Sequence, residues 1–112
     1  MDTKIRHVEG VTVLDLSGKI TLGEASGKLR SAVQEALGAG SKKILLNLAD
    51  VNYIDSAGLG ELVSAYTTVK NAGGQLKLLS LTKKVRDLLV ITKLLTVFDV
   101  KDSEADAISS FE

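Results

Sequence analysis

The spacing between apolar residues changes several times along the chain, and these changes predict an alternation of strands and helices. Residues 11–16 are rich in β-branched side chains and partly alternating, which predicts a strand. Residues 3–8 predict a weaker strand, joined to the next one by a hairpin turn at Glu9-Gly10. Apolar residues then recur at helical spacing at Leu22, Ala25, Leu29, Val33, Ala36 and Leu37. The chain is therefore expected to begin with a hairpin that leads into a helix.

Both ends of this first helix carry sequence signals. Thr21 and Glu24 have the spacing of a capping box, in which each side chain accepts a hydrogen bond from the backbone N–H of the other residue. Gly38 suits the left-handed residue that closes a helix. We therefore expect Thr21 to cap the start of the helix and Gly38 to close its end.

The rest of the chain repeats the order of strand and helix. Residues 43–48 are apolar on both faces, as in a central strand that is covered on both sides. The next helix follows residues 50–55 and ends at Gly73-Gly74, and its inner face holds Leu59, Leu62, Val63, Tyr66 and Val69. Further elements are a buried strand at 75–79, a helix at 82–91, an edge strand at 96–100 and a last helix capped by Ser103 with Asp106 and ending near Phe111.

This order of elements predicts the fold class. Strands that alternate with helices imply crossover connections and a parallel sheet, and the hairpin adds one antiparallel pair. We expect an α/β fold with a mixed, mostly parallel sheet of about four or five strands and about four helices. The chain has no proline and no Gly/Ser-rich linker, so residues 1–112 are expected to form one domain.

Composition narrows the classes of function. Lys and Arg together number 14, as do Asp and Glu, so the chain lacks the basic excess of a nucleic-acid-binding domain. Cysteine is absent and no His/Asp/Glu group has metal-ligand spacing. Residues 1–8 have no signal-peptide core, and no apolar run approaches the roughly 18 residues that span a bilayer. We expect a cytoplasmic protein with no cofactor, no metal, no membrane contact and no direct nucleic-acid contact.

Residues 53–60, Tyr-Ile-Asp-Ser-Ala-Gly-Leu-Gly, are the most unusual segment of the chain. Gly58 and Gly60 fall in the first helical turn, where glycine costs about 1 kcal/mol relative to alanine. Asp55 and Ser56 are both favourable N-cap residues. Two interpretations stay open: a partner approaches this backbone closely, or the polar residues cap the helix while the glycines relieve crowding against the sheet.

A catalytic use of Ser56 has little support in the sequence. A nucleophile elbow requires glycine two residues before the serine, where Ile54 stands, and His7 is the single histidine. The chain has no phosphate-binding P-loop, and a dinucleotide fingerprint that would start at Gly58 is broken by Val63. We therefore predict no catalytic residues and no enzymatic activity.

Residues 44–60 resemble the signature of STAS domains, and within that family they are most similar to the stand-alone bacterial anti-sigma factor antagonists. The core of the resemblance is Asp-Ser-Ala-Gly-Leu-Gly at residues 55–60, in a strand-to-helix setting. Supporting segments are residues 16–20, Gly73-Gly74, residues 76–79 and residues 85–98. The resemblance thus covers nearly the whole chain and implies a STAS fold.

The resemblance implies a regulatory phosphoprotein that works by partner switching. In that family the serine that follows the aspartate is phosphorylated by an anti-sigma factor that is itself a serine kinase. The unphosphorylated antagonist binds this kinase and frees a sigma factor; phosphorylation breaks the complex, and a phosphatase restores it. The implied phosphorylation site is Ser56. The implied partner-binding residues are Asp55, Ser56, Ala57, Gly58, Leu59 and Gly60.

The loop before the first helix departs from the family pattern. Relatives often carry an acidic residue near position 21, whereas this chain has Thr21. Because this loop lies beside the acceptor serine in the family fold, Thr21 is counted among the partner-binding residues, and the choice of partner is open. The alternative is that Thr21 only caps the helix.

Two other classes of function stay open. The chain could be a subunit of a larger stress-signalling scaffold in which STAS domains pack together, or a module that binds a nucleotide or another small ligand. The sequence also leaves open whether the protein is a monomer or a weak homodimer. Leu94 and Leu95 could belong to the core or to a partner surface, and the core is favoured.

Overall fold

Strands and helices alternate along the chain after an N-terminal hairpin. The computed structural model describes residues 1–111, and that part of the chain forms five strands and four helices. The strands are β1 (Asp2–Val8), β2 (Val11–Ile20), β3 (Lys43–Ile54), β4 (Gln75–Leu79) and β5 (Val100–Lys101). The helices are α1 (Glu24–Gly38), α2 (Ser56–Asn71), α3 (Lys83–Ile91) and α4 (Glu104–Ser109).

The five strands form one sheet in the order β1-β2-β3-β4-β5. β1 and β2 are antiparallel, and each of the other neighbouring pairs is parallel. The two-residue turn at Glu9 and Gly10 has φ of 49° and 81°, the left-handed geometry that suits the twist of a tight hairpin. The predicted α/β fold with a mixed, mostly parallel sheet is confirmed.

Apolar side chains of the sheet alternate between two cores. On β2, Leu14 and Leu16 face the larger core, which also contains buried residues of α1, α2 and α3. Val11 and Val13, which precede them in the strand, face a smaller core that is covered by α4. β3 contributes buried leucines to both cores, so the prediction of a central strand covered on both sides is confirmed.

The predicted capping box at the start of α1 is wrong. Gly23 is the N-cap, with φ of 98°, and no side chain caps this helix. Thr21 lies two positions too early and contributes only its backbone oxygen, which accepts a hydrogen bond from the Ser26 N–H at 3.2 Å. Leu22, the first residue of the predicted helical pattern, precedes the helix and is 79% exposed. The chain turns into the helix through the left-handed glycine, a conformation that few other residues adopt.

Two other predicted boundaries are shifted. Gly38 is the last residue of α1, and the left-handed glycine that follows the helix is Gly40, with φ of 92°. The edge strand β5 begins at Val100 instead of residue 96, because Phe98 turns into the larger core. The cap of the last helix is confirmed, since Ser103 Oγ accepts a hydrogen bond from the Asp106 N–H at 3.4 Å.

The predicted core role of Leu94 and Leu95 is also confirmed. Both side chains are partly buried against the larger core. They follow α3 directly, where the Leu94 N–H donates to the Leu89 carbonyl at 2.8 Å. The segment after α3 therefore closes the core beside the helix.

An ion-pair network ties the hairpin to α4. Arg6 donates from Nε to Asp15 Oδ2 at 2.5 Å and from Nη2 to Glu104 Oε1 at 2.6 Å. Asn47 Nδ2 also donates to Asp15 Oδ1, at 2.8 Å. The hydrogen bonds from Arg6, and secondarily from Asn47, hold the pKa of Asp15 below its usual value against the opposing effect of burial.

The Arg6–Asp15 pair predicts a pH-dependent contribution to stability. Because the pKa of Asp15 is lowered by folding, its stabilising effect is complete above the ordinary aspartate pKa of about 4 and is lost as the pH falls below it. We expect Arg6→Met to lower the free energy of unfolding at neutral pH by about 0.5 to 1 kcal/mol, because both side chains are partly exposed. The difference in the free energy of unfolding between wild type and Arg6→Met should shrink as the pH falls toward about 3.

Urea unfolding at several pH values measures this difference. Lys19→Met is the matched control, because Lys19 is exposed on β2 and makes no ion pair within residues 1–111. A difference between wild type and Arg6→Met that stays constant from neutral to acidic pH would contradict the assignment.

Candidate functional site

Ser56 lies at the junction between the end of β3 and the start of α2. β3 ends at Ile54, Asp55 is the N-cap in an extended conformation, and Ser56 is the first residue of the helix. The Ser56 side chain is exposed to solvent. Because Asp55 caps the helix, the Ser56 hydroxyl is not used as a cap. The phosphate acceptor predicted from the sequence is therefore accessible.

Asp55 joins three segments of the chain. Its Oδ1 accepts a hydrogen bond from the Gly58 N–H at 2.8 Å, and its Oδ2 accepts one from the Leu22 N–H at 3.0 Å. Its own N–H donates to the Ile20 carbonyl at 3.3 Å. The backbone N–H groups of Gly58 and Leu22 lower the pKa of Asp55, so this carboxylate is negatively charged beside Ser56 at neutral pH. The loop that contains Thr21 is thereby held next to the acceptor.

The two glycines of the first helical turn have different roles. A Cβ atom on Gly58 would lie 2.1 Å from the Ile20 carbonyl oxygen, so this glycine is required by close packing against β2. A Cβ atom on Gly60 would meet nothing within 4 Å. Relief of crowding therefore explains Gly58 and leaves Gly60 without a packing reason.

The predicted partner-binding residues divide between the core and the surface. Gly58 and Leu59 are buried, and Leu59 packs in the larger core. Ala57 is half-buried, while Ser56 and Gly60 are exposed. A docking partner can therefore reach Ser56 and Gly60, whereas the Leu59 side chain supports the helix from inside.

A groove of about 620 Å³ runs between Ser56 and α3. Its lining residues are Tyr53, Ile54, Asp55, Ser56, Lys84, Asp87, Leu88 and Ile91. Ile91 is 76% exposed and Tyr53 is 45% exposed, so the groove presents two large apolar side chains to solvent. Tyr53, Lys84 and Ile91 were not predicted to be site residues from the sequence. Ile91 ends an apolar run in which Leu89 is buried and Val90 is 53% exposed, so the apolar pattern by itself did not separate core from surface positions.

Other kinds of site find little support in residues 1–111. No group of three or more His, Cys, Asp or Glu side chains there could hold a metal ion. His7 lies on β1 and does not line the Ser56 groove. Within the same residues, every helix is too short or too polar to cross a bilayer.

This arrangement is characteristic of a known family of regulatory domains. The model of the STAS domain matches residues 2–107, and the chain belongs to the STAS domain family. The chain is 26% identical over 113 residues to the anti-sigma F factor antagonist of Paenibacillus polymyxa, covering 100% of this chain and 96% of that protein. The family predicted from residues 44–60 is thus confirmed.

Solved structures agree with this assignment. A candidate anti-sigma factor antagonist from Thermotoga maritima has a TM-score of 0.89 and 27% identity, covering 97% of this chain and 93% of that one. The anti-sigma factor antagonist SpoIIAA in its unphosphorylated form has a TM-score of 0.72 and 20% identity, covering 96% of each chain. The phosphorylated form of SpoIIAA from Bacillus also has a TM-score of 0.72, with 19% identity, covering 96% of this chain and 97% of that one. The SpoIIAA structures share the fold.

Proposed function

We propose that this protein is a cytoplasmic anti-sigma factor antagonist without catalytic activity, switched by phosphorylation of Ser56. The unphosphorylated form binds an anti-sigma factor that is also a serine kinase, and a sigma factor is released. Phosphorylation of Ser56 ends this binding, and a phosphatase restores it. The exposed position of Ser56, beside a groove with exposed apolar side chains, is the observation that carries the proposal.

The charge around Ser56 supports a switch that acts at the interface. A phosphate adds about −1.5 to −2 charges at neutral pH, next to the ionised Asp55. Enclosed by a partner, these charges would be desolvated and would repel each other. In the free protein the same phosphate stands at a helix N-terminus, where negative charge is favourable, so the fold is retained.

Two similar proteins add support from their names and structures. The Paenibacillus polymyxa relative is an anti-sigma F factor antagonist and aligns over the whole of this chain. SpoIIAA has been solved in an unphosphorylated and a phosphorylated form, and both have the fold described above. A phosphorylation-controlled antagonist is therefore compatible with this architecture.

Three versions of the protein test the proposal in one experiment. Wild type, Ser56→Ala and Ser56→Asp are immobilised and exposed to native lysate, and the retained proteins are identified by mass spectrometry. We expect wild type and Ser56→Ala to retain the same serine kinase. Ser56→Asp should retain at least about tenfold less of this kinase, because its added negative charge lies at the interface beside Asp55. A tenfold decrease corresponds to about 1.4 kcal/mol of lost affinity.

The retained kinase then provides a second measurement. With ATP it should phosphorylate wild type at Ser56 and leave Ser56→Ala unmodified, as seen by phosphopeptide mapping. Circular dichroism of all three versions controls for folding. If Ser56→Asp retains the kinase as well as wild type does, or if no version retains a kinase, Ser56 is not the switch. Retention of one large assembly by all three versions would favour the scaffold interpretation.

A further inference from the structure

One wall of the groove beside Ser56 is formed by the end of β3 and the start of α2, and the other wall lies on α3. The α3 wall contributes the lining residues Lys84, Asp87, Leu88 and Ile91. Among the groove-lining residues, all within residues 1–111, Lys84 is the one cation, and it faces the same space as the Ser56 side chain. A lysine has a flexible four-carbon stem and three N–H donors, so it can follow a charge that appears nearby.

Lys84 differs from the other basic residues of α3 in having no ionic partner. Lys83 pairs with Asp87 at 3.7 Å, and Arg86 pairs with Asp102 at 3.3 Å. For Lys84, the described part of the chain offers no salt bridge or side-chain hydrogen bond. Its ammonium group is therefore available to a new anion without the loss of an existing contact.

We propose that Lys84 binds the phosphate of phospho-Ser56, so that the modified protein has an ionic contact across the groove between α2 and α3. This inference rests on the proposed modification of Ser56. It adds a second element to the switch, because the lysine stem would lie over the apolar floor of the groove near Tyr53 and Ile91. The phosphorylated protein would then cover part of the surface that the unphosphorylated protein offers to its partner.

Phosphate ionisation provides a direct readout of this contact. The titratable groups that line the groove are Tyr53, Asp55, Lys84 and Asp87. The two carboxylates disfavour the doubly charged phosphate, while Lys84 favours it. Removal of the lysine charge should therefore raise the second pKa of phosphoserine, which is ordinarily about 6.

Phosphoserine installed at position 56 during translation allows this measurement without any kinase. We compare wild type, Lys84→Gln and Arg86→Gln by phosphorus NMR titration, with circular dichroism as the check on folding. Lys84→Gln is expected to raise the second pKa of phosphoserine by about 0.3 to 0.7 unit, as for an exposed ion pair. The matched control Arg86→Gln removes an equal charge from the same helix, and its ionic partner Asp102 does not line the groove, so the pKa should stay within about 0.1 unit of wild type.

The outcomes of this titration separate the contact from the switch itself. Equal pKa values in all three proteins would overturn the Lys84 contact, and so would equal increases in the two variants, because those would reflect general surface charge. A salt concentration of about 1 M should abolish the specific difference. Since phosphoserine is present from synthesis, these results hold whether or not a kinase is retained by the Ser56 variants described above.

Discussion

Gly58→Ala is expected to lower the free energy of unfolding by about 3 kcal/mol or more, at the upper end of what overpacking costs. The added methyl group would lie 2.1 Å from the Ile20 carbonyl oxygen and 2.9 Å from the Ile20 Cγ2 atom. The carbonyl belongs to β2 and accepts the Asp55 N–H, so it cannot move without disturbing the junction at Ser56. Denaturant unfolding followed by circular dichroism measures the loss.

Gly60→Ala is the control on the same helical turn. Its methyl group would meet nothing within 4 Å, so alanine should stabilise the helix by about 0.5 to 1 kcal/mol. Opposite signs for the two substitutions are thus expected from one residue type in one turn. If Gly58→Ala lowered stability no more than Gly60→Ala does, the close approach of α2 to β2 at Gly58 would be contradicted.

Lys77→Ala is expected to destabilise the protein by about 2 to 3 kcal/mol, because it removes a buried side chain together with its polar contacts. Lys77 is only 9% exposed and lies on β4. Its Nζ bonds the Ser110 carbonyl, Ser110 Oγ and Asp99 Oδ2, each at 2.9 Å. It also lies 5.0 Å from the centre of the Phe111 ring. The lysine therefore attaches the C-terminal segment to the sheet.

Lys77→Met separates the contribution of the stem from that of the charge. Methionine keeps a long apolar side chain and loses the three polar contacts, so a smaller loss of about 1 to 2 kcal/mol is expected. Urea unfolding of both variants gives the comparison. Hydrogen exchange of α4 should accelerate in both variants, because the helix loses its attachment. Unchanged exchange in α4 would show that Lys77 does not hold it.

The elements were predictable wherever one local pattern repeats. Helical spacing of apolar residues and the Glu9-Gly10 turn need only neighbouring residues to be recognised. The start of α1 was predicted at Thr21 because threonine is a favourable N-cap residue, whereas the chain turns into the helix at Gly23. The side-chain type at Thr21 favoured a cap there, but the positive φ of Gly23, two residues later, sets the start of the helix.

Lys77 shows that the sequence pattern does not predict contacts between distant segments. It stands in the middle of a segment that the pattern predicts as a buried strand, and its charge needs partners there. Those partners, Asp99 and Ser110, lie far along the chain and reach it only after β5 and α4 have packed. Sequence spacing contains no information about such a meeting.

The sequence was sufficient to predict the alternation of strands and helices, the family and the strand-to-helix junction at Ser56, since each depends on residues that are close in the chain. The different roles of Gly58 and Gly60 became visible only from the packing of α2 against β2. The same holds for the groove, whose second wall comes from α3. Distances between separate segments are set by the packing of the core, and apolar periodicity specifies which face is buried but not which distant residues meet there.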